Sequence, residues 1–316
     1  MARRALQPAS FELVAAVEQA WRGEEVLVAC SGGSDSLALA ACAAIAGQRR
    51  GFGVRAVTVD HGLQPDSSRW AEIVAERLAG AGIAPIVLAV TVRDQGQGLE
   101  AAAREARYAA LSAEVEDGEA VYLGHTLDDQ AETVLLGLAR GSGGRSLSGM
   151  PAVRAPFVRP FLGVRSAITT QACRELGLQW IDDPHNAQAR FTRVRVRERV
   201  LPLLEAELGP GVVQALARTA ELLRADADLL DHLAQAELDG LGQASELDCT
   251  WLAGLPRPLL SRVLRLWLFD RGATEVPYGR VRAVEALVID WHGQAWIELA
   301  GLRVIRRNGR LSAGPA

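Results

Sequence analysis

Between residues 26 and 125 the chain alternates short apolar runs with helix-length amphipathic stretches. The runs are VLVAC (26–30), VRAVTVD (54–60), APIVLAV (84–90) and AVYLGH (120–125). Valine-rich runs of this length, separated by helical patterns, predict parallel strands covered on both faces. A fifth strand is predicted at PFVRPFL (156–162). The fold class that follows is α/β, a doubly wound parallel sheet, in which ligands sit beyond the carboxyl ends of the strands. Attention therefore falls on the residues just after Cys30, Val59 and Gly124.

From about Leu204 the texture changes. Leu216, Leu222, Leu223, Leu229, Leu230 and Leu233 recur at helical spacing, and PRPLLSRVLRLWLFD and YGRVRAVEALVIDWH continue the helical pattern. In AWIELAGLRVIRRNGRLSA the Asn308-Gly309 pair predicts a hairpin turn. The expectation is a catalytic α/β domain over 1–205 and a smaller, mostly helical domain with a C-terminal β-hairpin over 206–316.

A hydrophobic content of 49% over 316 residues is ample for two cores. No apolar run approaches the roughly 18–20 residues of a membrane span, and MARRALQPAS lacks the apolar centre of a secretory signal. A soluble, cytoplasmic protein is expected. Cys30, Cys42, Cys173 and Cys249 form no C-x-x-C pair, so neither a disulfide framework nor a thiolate metal site is indicated. The net charge of -4 argues against indiscriminate nucleic-acid binding but leaves room for a local basic face. All 34 basic residues are arginine, which excludes any chemistry that needs a lysine of the chain itself.

The segment Ser31-Gly32-Gly33-Ser34-Asp35-Ser36 follows a predicted strand and opens a helix expected over Leu37–Ala46, stopping near Gly47. Such a junction offers backbone N–H groups and a positive dipole end to an anion. Gly32 and Gly33 permit close approach, and Ser31, Ser34 and Ser36 add hydroxyl donors. The Walker lysine is missing. Taken alone, the segment also fits an ordinary helix start capped by Ser34 or Asp35. Asp35 changes the picture, because a carboxylate beside a triphosphate is repelled unless a divalent cation stands between them. That predicts Mg²⁺ and a second acidic residue on a neighbouring strand end. GHTLDDQAETVLL supplies His125, Asp128, Asp129, Glu132 and Thr133. Asp129 and Glu132 share a helix face, as do Asp128 and Glu132. Acids at a helix start are also ordinary dipole partners.

Together SGGSDS, VDHGL, GLEAAAREARYAAL and GHTLDDQAETVL, in that order, resemble the PP-loop ATP-pyrophosphatase superfamily (adenine nucleotide alpha-hydrolase-like), and within it the tRNA(Ile)-lysidine synthetase family. The resemblance covers roughly residues 24–202. LARGSGGRSLSGM (138–150) and DDPHNAQARFTRVRVRERVLPLL (182–204) resemble segments that not all PP-loop enzymes share.

The resemblance implies ATP and Mg²⁺ as cofactors, and CAU-anticodon tRNA(Ile) and free L-lysine as partners. ATP would adenylate C2 of the wobble cytidine, and lysine would displace AMP. Ser31, Gly32, Gly33, Ser34, Asp35 and Ser36 match the nucleotide loop, with Asp35 and Asp129 as the Mg²⁺ carboxylates. His125, Asp129 and Glu132 match catalytic or metal-linked positions, and His125 and Glu132 are candidates for accepting the proton of lysine. Arg107, in an element with Arg104 and Tyr108, is expected to stabilise charge on the α-phosphate. Asp60 and His61 are expected near the nucleotide or the base, against a reading as plain loop hydrogen bonding.

For tRNA, Arg190, Arg193, Arg195, Arg197 and Arg199, with Phe191 interleaved, form a candidate phosphate-binding run, and Arg145 sits in a glycine-rich loop. A solvated helix face and a plain linker are the competing readings. Ser146 and Val194 depart from residues common in the family, glycine and asparagine, and the chain resembles its shorter members. The alternatives are another PP-loop activity (tRNA thiolation or small-molecule amidation) and a non-catalytic nucleotide sensor. The oligomeric state stays open, with a homodimer among the options.

Overall fold

The computed structural model describes residues 5–315 except 24, 64–65, 95, 97, 142, 182–190, 243–244 and 295. In chain order the first elements are α1 (Pro8–Ala20), β1 (Val26–Ala29), α2 (Ser34–Arg50), β2 (Val54–Asp60), α3 (Ser67–Gly80) and β3 (Ala84–Ala89). Next come α4 (Leu99–Glu114), β4 (Ala120–Leu123), α5 (Leu127–Ala139), α6 (Gly144–Leu147), β5 (Val153–Arg154), β6 (Phe157–Val158) and α7 (Ser166–Leu176). A helical segment then runs from α8 (Thr192–Arg195) through a π turn (Val196–Val200) into α9 (Leu201–Leu208). The rest comprises α10 (Val212–Asp239), β7 (Glu246–Asp248), α11 (Cys249–Gly254), α12 (Arg257–Asp270), α13 (Tyr278–Ile289), β8 (Ile297–Leu299), β9 (Leu302–Arg307) and β10 (Arg310–Pro315). Two compact units result, Met1–Arg140 with Gly149–Thr219, and Gly141–Ser148 with Ala220–Ala316, so the division falls within α10.

In the first unit the strands form one sheet in the order β3-β2-β1-β4-β6-β5, parallel except for the edge strand β5. The four apolar runs become β1 to β4, and the run at 156–162 contributes the short β6. Alternate residues of β1 explain why the runs are apolar throughout. Val26 and Val28 join the core built with α1, α2 and α7, whereas Leu27 joins the opposite core with Val57, Leu111 and Phe157. The chain places β2 and β3 on one side of β1, then returns to put β4 on the other. The connection therefore reverses direction between β1 and β4, where a crevice opens at the strand ends. The register aligns Ala29 with both Val57 and Leu123, so β1 and β4 end side by side while β2 runs on to Asp60.

Helix α2 corrects one expectation. It does not stop near Gly47 but continues to Arg50 and ends at Gly51, whose φ of 79° closes the last turn in the left-handed region. Gly47 is a packing residue instead. A Cβ there would lie 2.8 Å from Val54 Cγ2 and 2.9 Å from the Phe52 carbonyl oxygen. Helix α1, for which the strand-and-helix pattern made no provision, starts with Pro8 in its first turn and packs Leu13, Val14 and Val17 into the core. Its N-terminal N–H groups at Ala9 and Ser10 donate to Glu175 of α7.

The second unit is built on Leu252, Leu260, Val263, Leu264, Trp267, Val284, Leu287, Val304 and Leu311. Its β portion exceeds the expected hairpin, forming a four-stranded antiparallel sheet in the order β7-β10-β9-β8. The Asn308-Gly309 turn is present, with φ of 50° and 74°. Strand β7 was not anticipated because three residues with one buried side chain, Leu247, leave no period to read.

A Gly47→Ala substitution should lower stability by a net of about 1–2 kcal/mol, since the clash with backbone outweighs the gain in helix propensity of about 1 kcal/mol. Gly80→Ala, where nothing lies within 4 Å of the added carbon, should be neutral or slightly stabilising. Urea unfolding of both variants checks the pair, and a stable Gly47→Ala protein would contradict the packing argument.

Candidate active site

The loop after β1 is shaped by contacts rather than by composition alone. Gly32 has φ of 87°, and a Cβ there would fall 2.5 Å from Val74 Cγ2. Gly33 caps α2, whose first N–H groups have no acceptor within the helix. The Ser36 hydroxyl accepts from Ser31 N at 3.1 Å and donates to the Gly33 carbonyl at 3.1 Å, with Ser31 Oγ at 3.3 Å. Ser36 thus braces the loop from within, and Ser31 and Ser34 carry the hydroxyls at its rim. Gly124, leaving β4, approaches so closely that a Cβ would meet Ser36 N and Cα at 3.0 Å. Any larger residue there would push apart the two strand ends.

This approach brings the acidic candidates together. Asp35 is half-buried, and its pKa is raised by burial and by the neighbouring Asp129 carboxylate, against hydrogen bonds from Thr169 and Ser166 and the charge of Arg197. Asp129 sits at the third position of α5. There its Oδ2 accepts from Thr126 N at 2.9 Å and from Thr126 Oγ1 at 3.1 Å in a capping box. Its Oδ1 accepts from Arg197 at 3.1 Å. Glu132, with a fully buried side chain, accepts from Arg193 Nε at 2.7 Å and from Arg197 Nε at 2.5 Å. Asp128 points elsewhere. It accepts from Ser166 N at 2.8 Å and pairs with Arg165 at 3.0 Å, holding the start of α7.

Opposite the acids lies a cationic group. Arg104 donates to Tyr108 Oη at 3.2 Å, and Arg159 reaches the same oxygen at 3.4 Å. Arg107 lies 5.7 Å over the Tyr108 ring and has no hydrogen bond or ion pair among the described residues. Its pKa is lowered by burial and by the charges of Arg104 and Arg193. His125 faces these arginines. Burial lowers its pKa to about 3, against the pull of Asp129 and with the help of Arg159, Arg107 and Arg104, so the imidazole is neutral. Among the described residues its Nδ1 is buried without a hydrogen-bond partner, as is that of His61. The His61 pKa is likewise lowered by burial and by Arg107. Asp60 is engaged locally, accepting from Gly62 N at 2.9 Å and Ser68 Oγ at 2.8 Å.

The arginine run divides. Arg193 and Arg197 turn onto Asp129 and Glu132, Arg195 donates to Thr192 Oγ1 at 3.0 Å, and Arg199 is exposed. Arg190 lies outside the described residues. Arg145, in the second unit, is ion-paired with Asp228 and Asp231. Sequence reasoning missed Arg159, Ser166 and Thr169. Arg159 stood in view inside PFVRPFL, where the strand pattern claimed it.

Among the described residues no three His, Cys, Asp or Glu side chains converge on one point that could hold a metal. Two like-charged carboxylates beside a phosphate loop still suit a cation that takes its remaining ligands from phosphate and water.

The comparisons agree with this geometry. A PP-loop domain model matches residues 8–204 and a TilS substrate binding domain model matches residues 247–312. The chain is 51% identical to a tRNA(Ile)-lysidine synthase of Mycolicibacterium paratuberculosis, over 92% of this chain and 90% of the relative. Identity to the enzyme of the same name from Rhodococcus erythropolis is 49%, over 92% and 89%. Among solved structures, a U34-tRNA thiolase from Methanococcus maripaludis shares the fold, with a TM-score of 0.54 at 15% identity, over 68% of this chain and 80% of the other. With a shared PP-loop domain, a matching second domain and half of all aligned residues identical, the chain belongs to the tRNA(Ile)-lysidine synthase family.

Proposed function

We propose that this protein uses ATP to join free L-lysine to C2 of the wobble cytidine in CAU-anticodon tRNA(Ile), releasing AMP and pyrophosphate. The observation that carries the reading is the proximity of Asp35 and Asp129 beside the phosphate loop, with neutral His125 and Arg107, unpaired among the described residues, nearby. The C2 oxygen of cytidine is a poor leaving group. Its attack on the α-phosphorus expels pyrophosphate and turns it into a phosphate ester, which leaves as AMP when the lysine Nε bonds to C2. Asp35 and Asp129 would hold Mg²⁺, which supplies charge neutralisation at the phosphates when bound.

The remaining roles follow from the side chains. The glycine loop and the start of α2 orient the phosphates through backbone N–H groups. Arg107, with no protein partner among the described residues, is available to the charge that develops on the α-phosphate. Lysine enters as an ammonium and must lose a proton before it attacks. His125 suits that task better than Glu132, because it is neutral with an unpartnered ring nitrogen, whereas Glu132 is saturated by two guanidinium groups. Arg195, Arg199 and Arg190 are the members of the arginine run proposed to meet tRNA phosphate, while Arg193 and Arg197 order the acids. A thiolation reading finds no support in the cysteines. Cys30 is buried under the loop, and burial pushes the thiols of Cys30 and Cys173 up, Cys173 to about 12.

Purified protein with ATP, Mg²⁺, lysine and CAU-anticodon tRNA(Ile) should yield lysidine by mass spectrometry of its nucleosides, with AMP formed in equal amount. Asp35→Ala should abolish both while the protein stays folded. Sulfur incorporation, or turnover without tRNA, would overturn the reading.

Glu132→Gln should cost about 1–2 kcal/mol of stability by removing the buried charge that holds the partly exposed guanidinium groups of Arg193 and Arg197. It should also lower activity without moving the acid limb of the pH–rate profile. A displaced limb would return Glu132 to the role of base.

The native state holds His125 neutral down to about pH 3, whereas the unfolded chain binds that proton near 6.5. Stability from this site is therefore complete above pH 6.5 and falls as the pH drops toward 3, by up to about 1.4 kcal/mol per unit. His125→Gln should flatten that slope in urea titrations across the window, and an unchanged slope would contradict the neutral assignment.

A further inference from the structure

Helix α7 lies against the phosphate loop and touches it through four side chains. Cys173 Sγ donates to the Ser34 carbonyl at 3.3 Å, Thr170 Oγ1 reaches Ser34 Oγ at 3.4 Å, and the hydroxyls of Ser166 and Thr169 converge on a single oxygen, Oδ1 of Asp35. Ser166 Oγ stands 3.0 Å from it, and the Thr169 contact is shorter still. The other oxygen, Oδ2, has no hydrogen-bond partner among the described residues.

The asymmetry has a physical consequence. A carboxylate on a free side chain rotates about its terminal torsion and can offer a cation one oxygen or two. Next to Asp129 it would also swing away, because like charges repel. Two hydroxyl dipoles on Oδ1 oppose both motions. Thr169 is fully buried, so its hydroxyl has few alternatives. Its one proton can go to Asp35 or to the Ser166 carbonyl at 2.7 Å, and an ionised carboxylate is the stronger acceptor. The clamp is itself anchored, since Asp128 accepts from Ser166 N and pairs with Arg165 at the start of α7.

We propose that Ser166 and Thr169 are positioning residues that pin Oδ1 of Asp35, so that Oδ2 alone faces the nucleotide-bound cation. This rests on the reading of Asp35 as a Mg²⁺ carboxylate. One-oxygen ligation also favours Mg²⁺, which keeps an octahedral shell, over Ca²⁺, which accepts both oxygens of a carboxylate.

The test uses the full-length protein with a non-hydrolysable ATP analogue and Mn²⁺ in place of Mg²⁺, reading free Mn²⁺ by electron paramagnetic resonance. Thr169→Val keeps the shape and removes the hydroxyl. It should weaken Mn²⁺ binding by about 10–100-fold, the usual effect of losing a hydrogen bond to a ligating group. Thr169→Ser should restore it. Ca²⁺ should compete better against Mn²⁺ in Thr169→Val than in the parent, a change that loss of packing alone would not produce. Ser166→Ala gives a second, partly exposed position should Thr169→Val fail to fold, and thermal unfolding identifies that case. Unchanged Mn²⁺ affinity in the folded hydroxyl variants, with Asp35→Asn defective, would overturn the clamp and leave the metal reading intact. Unchanged affinity in Asp35→Asn would instead remove the metal reading itself.

Discussion

Two carboxylates brought close together, with Arg197 as the counter-charge they share, set the terms for the rest of the site. Asp35 comes from the helix after β1 and Asp129 from the helix after β4, and Gly124 lets the two strand ends meet with only backbone at the contact. Burial and mutual repulsion both oppose ionisation of Asp35. The surroundings answer with dipoles and charges on three of the four oxygens: hydroxyls on Asp35 Oδ1, the capping box on Asp129 Oδ2, and Arg197 on Asp129 Oδ1. Glu132 then holds Arg193 and Arg197 in place from its buried position. The arrangement resembles a scaffold kept ready for a cation that arrives with its phosphates.

Across the crevice the charge logic is reversed. Arg104, Arg107 and Arg159 surround His125, and the imidazole responds by staying neutral. On the proposed reading the neutral ring would accept the proton of the amine, and Arg107, with a cation held by the acids, would meet the phosphate charge. An arginine run that reads in sequence as one nucleic-acid patch is in fact split, with Arg193 and Arg197 paired to the acids and Arg199 exposed.

The parallel strands and the phosphate loop were legible because their signals are local. Val26 to Ala29 are apolar on both faces since each face is covered, and the Ser-Gly-Gly-Ser-Asp-Ser turn, an ordinary helix start by itself, gained its meaning from Asp35 and the acidic motif that follows β4. Weak local signals failed. Strand β7 is three residues long, α1 begins amid an unremarkable N-terminal stretch, and Gly47 looked like a helix stop because a glycine in isolation does not reveal whether it ends a helix or makes room for Val54 and Phe52.

By itself, then, the chain determined which elements form, which family motifs they carry and which acids and bases stand near strand ends, because those properties depend on residues close in sequence. Tertiary structure decided what each charge does. Asp128 braces α7 rather than facing the loop, Glu132 anchors arginines, and hydroxyls more than 130 positions away from Asp35 engage one of its two oxygens. The reason is that hydrogen bonds and Coulomb forces act over a few ångströms of space. Which groups come that close is set by the packing of α5 and α7 against the sheet, and no spacing along the chain records it.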